Sequence, residues 1–247
     1  MSIRAYLLGA GLFVSTAALA TIVVAQAPAP SGQPGGGQAA AAEPTPEQMR
    51  RAVAALRGNR ITTPNDYEKL TPQQQAYVKS ILDGPRSAIS GPLGVMMVSP
   101  ALGDLTQKAM AYARFSGQEG FGIVPPKLNE LAILVVAKHW SAEYVWNAHH
   151  NYGVRMGLPK ELVEAIRVGA KPPAMEKDVE AVYTFATELV TTRAVSDATL
   201  QAAKAVLGGD RGVVDLVGTM GLYQISSMMV SVDQTPLGQG QKPFFTR

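Results

Sequence analysis

The chain has 247 residues, of which 47% are hydrophobic, and 22 Lys and Arg against 19 Asp and Glu give a net charge of +3. A charge this small with no basic stripe argues against a nucleic-acid partner. Cysteine is absent, which excludes disulfides and thiol chemistry, so stability must come from packing.

The first element is a leader. Met1 to Arg4 carry one positive charge, Ala5 to Ala25 carry none and are mostly apolar, and Val24-Ala25-Gln26-Ala27 is a small-x-small exit. This predicts a cleaved signal peptide over 1–27 and an exported protein, periplasmic or secreted, with no membrane contact after cleavage. The same run is long enough to span a bilayer, so the competing reading is an uncleaved anchor. Gly9, Gly11, Ser15 and Thr16 dilute it, and there is no twin-arginine pair. Residues 28–45, rich in Pro, Gly and Ala, read as a flexible linker. Residues 46–235 suit one domain, and no other segment reads as transmembrane.

The domain reads as helices. Thr45-Pro46-Glu47 and Thr71-Pro72-Gln73-Gln74 each place a Thr cap before a Pro at the first helical position. Tyr77, Val78, Ile81 and Leu82 form the second helix's stripe, and Asp83-Gly84-Pro85 stops it. Ser90 to Gly94 reads as a turn, Val95 to Val98 as a short apolar run, Pro100 to Phe115 as a helix and Ser116 to Pro126 as a loop. Lys127 to Trp140 is apolar enough for burial. Ser141 is placed to cap a helix that ends before Gly157. Pro159–Val168, Glu176–Thr191, Ser196–Leu207 and Arg211–Val230 complete the set, and 236–247 reads as an extended tail. Alternating β patterns are scarce, so the fold class is all-α.

Chemistry concentrates in one stretch. His139, His149 and His150 lie within twelve residues, near Glu130, Glu143 and Trp146. Histidine moves protons near neutral pH, and a carboxylate can orient it. On the helix after Ser141, His149 shares a face with Ala142, Val145 and Tyr152, while His150 shares the next face with Glu143 and Trp146. The two histidines point about 100° apart and cannot share a role. Glu130 reaches His149 only if the two helices run antiparallel. The plain alternative is a hydrogen-bonded core histidine. No tight ligand pair marks a metal site. Serine-hydrolase, dinucleotide and phosphate-loop motifs are missing, so neither metal nor cofactor is expected.

Leu128-Asn129-Glu130-Leu131-Ala132-Ile133-Leu134-Val135-Val136, then Tyr144-Val145-Trp146-Asn147-Ala148-His149, then Gly157-Leu158-Pro159 and Glu164-Ala165-Ile166 resemble the carboxymuconolactone decarboxylase-like family, which includes the alkyl hydroperoxidase-type thiol peroxidases. The resemblance lies in a Glu opening the buried helix, a His nineteen residues on and a Gly eight residues after it. Ser90 to Gly94 and the stretch from Leu207 to Val217 with Gly221-Leu222-Tyr223 extend it over roughly Leu70 to Pro236. The thiol branch carries a Cys-x-x-Cys pair where this chain has Ala142 and Val145, so thiol peroxidase activity is excluded. Many relatives place Glu before the Trp. Here Val145 fills that slot.

The resemblance implies a helical bundle assembling as a trimer or hexamer of itself. It also implies lyase or isomerase chemistry on a small carboxylated lactone or related carbonyl compound. In that reading His149 is the proton donor, Glu130 orients it or acts as partner base, and Trp146 walls the pocket. His150 or Arg114 holds a substrate carboxylate, and Tyr144 joins them as a substrate-binding residue. Arg114 by itself reads as a solvated charge at a helix end. The alternative is a non-catalytic binding or scaffold member that kept the fold.

Overall fold

The computed structural model describes residues 43–245, so the leader, most of the linker (28–42) and the last two residues of the tail lie outside them. Among the described residues there are ten α-helices and no strand. The two Thr-Pro starts behave as their chemistry dictates. In α1 (Pro46–Ala54) the amide of Gln48 donates to the Thr45 hydroxyl, and the Gln48 side chain accepts from the Thr45 amide. In α2 (Pro72–Leu82) Thr71 and Gln74 repeat the exchange, which satisfies two otherwise orphaned groups per helix.

The expected turn over 90–94 is half a helix. Gly91 has φ +55, and α3 (Pro92–Val95) starts directly after it, running into a 3₁₀ turn over Met96–Val98. A Cβ on Gly91 would overlap the Tyr144 ring. Glycine is therefore required there both by φ and by space. After α4 (Pro100–Arg114) and a loop comes α5 (Pro126–His139), in which every side chain from Leu128 to Ala137 is buried. A helix buried on all sides, here mostly apolar with Asn129 and Glu130 as its polar exceptions, belongs at the centre of a bundle. Helix α5 packs against α6 (Glu143–Arg155), α7 (Lys160–Val168), α8 (Lys177–Thr192) and α10 (Asp210–Asp233), with α9 (Asp197–Leu207) bridging α8 and α10. A second apolar cluster, centred on Val53, Tyr77, Ile81, Leu93 and Met97, joins α1 to α4.

The reversal between α5 and α6 corrects one expectation. Ser141 does not cap α6; its φ is +46, and Ala142 precedes the helix without a side-chain bond. The amide of Ala142 donates to Ala137 O (2.9 Å) and that of Ser141 to Lys138 O (2.9 Å). This is the double closure of a helix C-terminus with a left-handed residue just past it. With so short a link, closing α5 takes precedence over capping α6. The chain doubles back, and Gly153 lets α6 approach: a Cβ there would sit 3.3 Å from Leu134 and 3.6 Å from the Glu130 Cβ.

Helix α10 is by length and composition apolar enough to cross a membrane, and it packs on α4, α5 and α9. Its inner face includes Leu216, Met220, Tyr223, Ser227 and Asp233. Its outer face carries Val214, Val217, Gly221, Ile225, Met228 and Val232, all exposed. That stripe keeps the three-or-four-residue spacing of a single helix face.

Candidate active site

Helices α4, α5 and α6 converge on Glu130. His149 Nδ1 lies 2.7 Å from Glu130 Oε2, and Arg114 Nη1 lies 3.0 Å from Glu130 Oε1. The Glu130 side chain is 1% exposed, those of His149 and Arg114 9% and 20%. The antiparallel packing that sequence spacing required is therefore present. The register is held from the neighbouring position. Asn129 Nδ2 donates to Ala113 O (3.0 Å), and the Thr219 hydroxyl donates to Asn129 Oδ1 (2.9 Å). This buried link fixes the end of α4 against α5 and α10, and so places Arg114 on Glu130.

A carboxylate on Nδ1 selects the tautomer with hydrogen at Nδ1 and leaves Nε2 as the nitrogen for exchange with a ligand. His149 lines a cavity of about 190 Å³ together with Arg86, Ser90, Arg114, Tyr144 and Tyr223. Tyr223 stacks edge-on against His149, with ring centres 4.9 Å apart. Burial raises its phenol pKa well above the ordinary range, which keeps it a neutral wall. Arg114 also lies over the Tyr152 ring at 4.3 Å. Burial opposes its charge, but Glu130 and Tyr223 hold its pKa above the ordinary value. The volume is roughly that of six liquid waters, enough for a small compound and too little for a drug-sized one.

Of the residues singled out in the sequence, the structure brings His149, Glu130, Arg114 and Tyr144 together. Arg114 corrects its reading as a solvated helix-end charge. Trp146 and His150 go elsewhere. Trp146 is 1% exposed and packs against Phe245 and Phe244 at 5.3 and 6.4 Å, outside the cavity lining. His150 bonds through Nδ1 to Trp146 O (3.0 Å) and lies against Phe244 at 4.6 Å. The reason is the tail. Glu143 accepts the amides of Phe244 (2.7 Å) and Phe245 (2.6 Å), and Arg167 Nη1 donates to Phe244 O (3.0 Å). That strap covers the face on which Trp146 and His150 lie. His139 lines a separate hollow with Lys138, Tyr183 and Thr187. Among the described residues, no three His, Asp or Glu side chains come together as metal ligands.

Arg86, Tyr223, Ser90 and Ser226 were missed. Tyr223 stood in the C-terminal stretch of the resemblance, three and four residues before Ser226 and Ser227, and a helical reading of that stretch puts it on the inner face. Arg86 follows Asp83-Gly84-Pro85 in coil, where no periodicity signals a direction.

No protein-family model matches the chain, and no curated protein matches it.

Proposed function

We propose that this protein is an exported enzyme of the carboxymuconolactone decarboxylase-like kind, using His149 and Glu130 for acid–base chemistry on a small carboxylated lactone or related carbonyl compound. One observation carries the reading: a buried His149–Glu130 pair at 2.7 Å whose histidine lines a cavity. A separated pair, or a filled core, would instead favour the non-catalytic binding or scaffold member.

The chemistry follows from the charges. When a γ-carboxylated unsaturated lactone loses CO₂, the carbon–carboxyl bond breaks and its electron pair moves into a dienolate. A protonated His149 delivers one proton from Nε2 to carbon and regains one from water. Glu130 stabilises the imidazolium, and Arg114 and Arg86 supply a positive field for the enolate oxygen. Thiol peroxidase chemistry has no nucleophile here, since Ala142 and Val145 occupy the relevant slots.

The leader over 1–27 supports export, periplasmic or secreted, which makes a substrate other than 4-carboxymuconolactone the better expectation. The apolar outer stripe of α10, with exposed Leu102 and Leu105 on neighbouring α4, supports assembly with further copies of the chain as a trimer or hexamer. Light scattering after gel filtration tests that, and a clean monomer would count against it.

The activity test is a screen of carboxylated lactones and peroxides with loss of substrate as readout. His149→Ala and Glu130→Gln are each expected to abolish turnover while helicity by circular dichroism stays intact. Full activity in both variants would overturn the assignment.

A further inference from the structure

The carboxylate beside this cavity is already engaged. Glu130 Oε2 is hydrogen-bonded to His149, and Oε1 lies 3.0 Å from Arg114 Nη1 as an ion pair without hydrogen-bond geometry. A second guanidinium, Arg86, lines the same cavity, and its Nε and Nη2 are buried without a hydrogen-bond partner. Those two groups form the fork edge that accepts a carboxylate side-on. Its guanidinium lies over the Phe115 ring at 5.7 Å. The titratable groups around it are Arg114 and the buried phenols Tyr223 and Tyr77, none of which is an anion. A buried cation without a counter-charge costs stability, and an anion that reached this edge would offset that cost.

Arg86 and Ala88 also line a second, outer cavity of about 470 Å³, with Gln48, Arg51 and Leu82. Arg86 therefore borders both the hollow beside α1 and the one at His149.

We infer that Arg86 is the anion receptor of this site, binding a carboxylate of the small substrate on its Nε–Nη2 edge while His149 acts on the carbon skeleton. The inference rests on reading the inner cavity as a substrate site, and it assigns the substrate class: small organic acids bearing at least one carboxylate, ahead of their esters and amides.

The test compares γ-butyrolactone-γ-carboxylate with its methyl ester, which has the same ring without the charge. Binding is measured by calorimetry on the purified full chain. Wild type should prefer the acid by about ten- to a hundredfold, the weight of one charge-assisted bidentate contact. Arg86→Gln should bring the acid down to the level of the ester and leave the ester unchanged. Arg86→Lys, a point charge without the fork, should fall between. Arg86→Gln should melt no lower than wild type without ligand and lose the acid-induced rise in melting temperature.

Equal affinity for acid and ester in wild type, including no binding of either, would overturn the inference, as would an unchanged ratio in Arg86→Gln. If Arg86→Gln fails to fold, the wild-type ratio and Arg86→Lys decide. His149→Ala separates the two readings. A preference for the acid that survives His149→Ala, with turnover unaffected by that change, sinks the acid–base reading and leaves Arg86 standing. Turnover that depends on His149 with no preference for the acid sinks Arg86 alone.

Discussion

Replacing Glu130 by Gln keeps shape and removes one charge. The buried Arg114 guanidinium, 3.0 Å away, then loses its counter-ion while Arg86 stays nearby unpaired. Breaking a buried ion pair from one side costs about 3–5 kcal/mol, and Arg114 is one-fifth exposed, which favours the low end. The His149 Nδ1 bond survives as a neutral contact to the Gln oxygen, at a further loss of about 1 kcal/mol. A total near 4 kcal/mol lowers the melting temperature of a domain of this size by about 8–16 °C. Calorimetric melts of wild type, Glu130→Gln, Arg114→Gln and the double variant are the assay. Removing both partners should cost less than the sum of the single losses, with a coupling above about 1 kcal/mol. A Glu130→Gln variant that melts with wild type, or a strictly additive double variant, would refute this account of the site.

Other expectations concern the scaffold. Asp233 is fully buried, and its Oδ1 accepts the amides of Asn59 (3.1 Å) and Ile61 (2.9 Å) while Oδ2 accepts the Thr235 hydroxyl (2.7 Å). Burial works against its charge, but Thr235 and the amides of Ile61, Asn59 and Arg60 together hold its carboxyl below the ordinary range. Its stabilisation is therefore complete above the ordinary Asp pKa of about 3.9 and is lost as pH falls through the lower folded value. Asp233→Asn should melt below wild type at neutral pH, and the gap should close in acid; a gap that widens in acid would show the sign to be wrong. Gly91→Ala forces a left-handed Cβ worth about 1–2 kcal/mol and displaces Tyr144, so thermal melts should drop. Glu143→Ala should leave the Phe244 and Phe245 amides unprotected in hydrogen exchange, at a cost of about 2 kcal/mol, with protection in α10 unchanged. Persistent protection at both phenylalanines would mean that the aromatic contacts alone hold the tail.

The helix starts at Thr45 and Thr71 were readable because capping is local chemistry confined to four residues. The His149–Glu130 pair was readable from its spacing because a short reversal leaves two helices little choice but to run antiparallel. Ser141 misled because two helix ends compete for one short link, and residue type alone does not rank a closure above a cap. Trp146 and His150 are placed at the pocket by the resemblance, while helical geometry alone sets them on the face next to that of His149. Their burial under Phe244 and Phe245 comes from a segment about a hundred residues away, which spacing along one helix does not report. Arg114 reads as solvated because a basic residue in a last turn favours the helix end in water, whereas here the Asn129 link to Ala113, Glu130 and the Tyr152 ring all lie against that end of α4. Arg86 sits in coil, where direction is set wholly by what surrounds it.

The strap on α6 makes the molecule its own optical probe. The chain has two tryptophans. Trp140 is 38% exposed and Trp146 1%, with the Phe245 ring against it. The indole of Trp146 has no hydrogen-bond partner for its N–H, so its emission belongs at the blue end while the strap is seated. In a Trp140→Phe background the remaining fluorophore reports tail release as a red shift, and does so without a dye, a ligand or knowledge of the substrate.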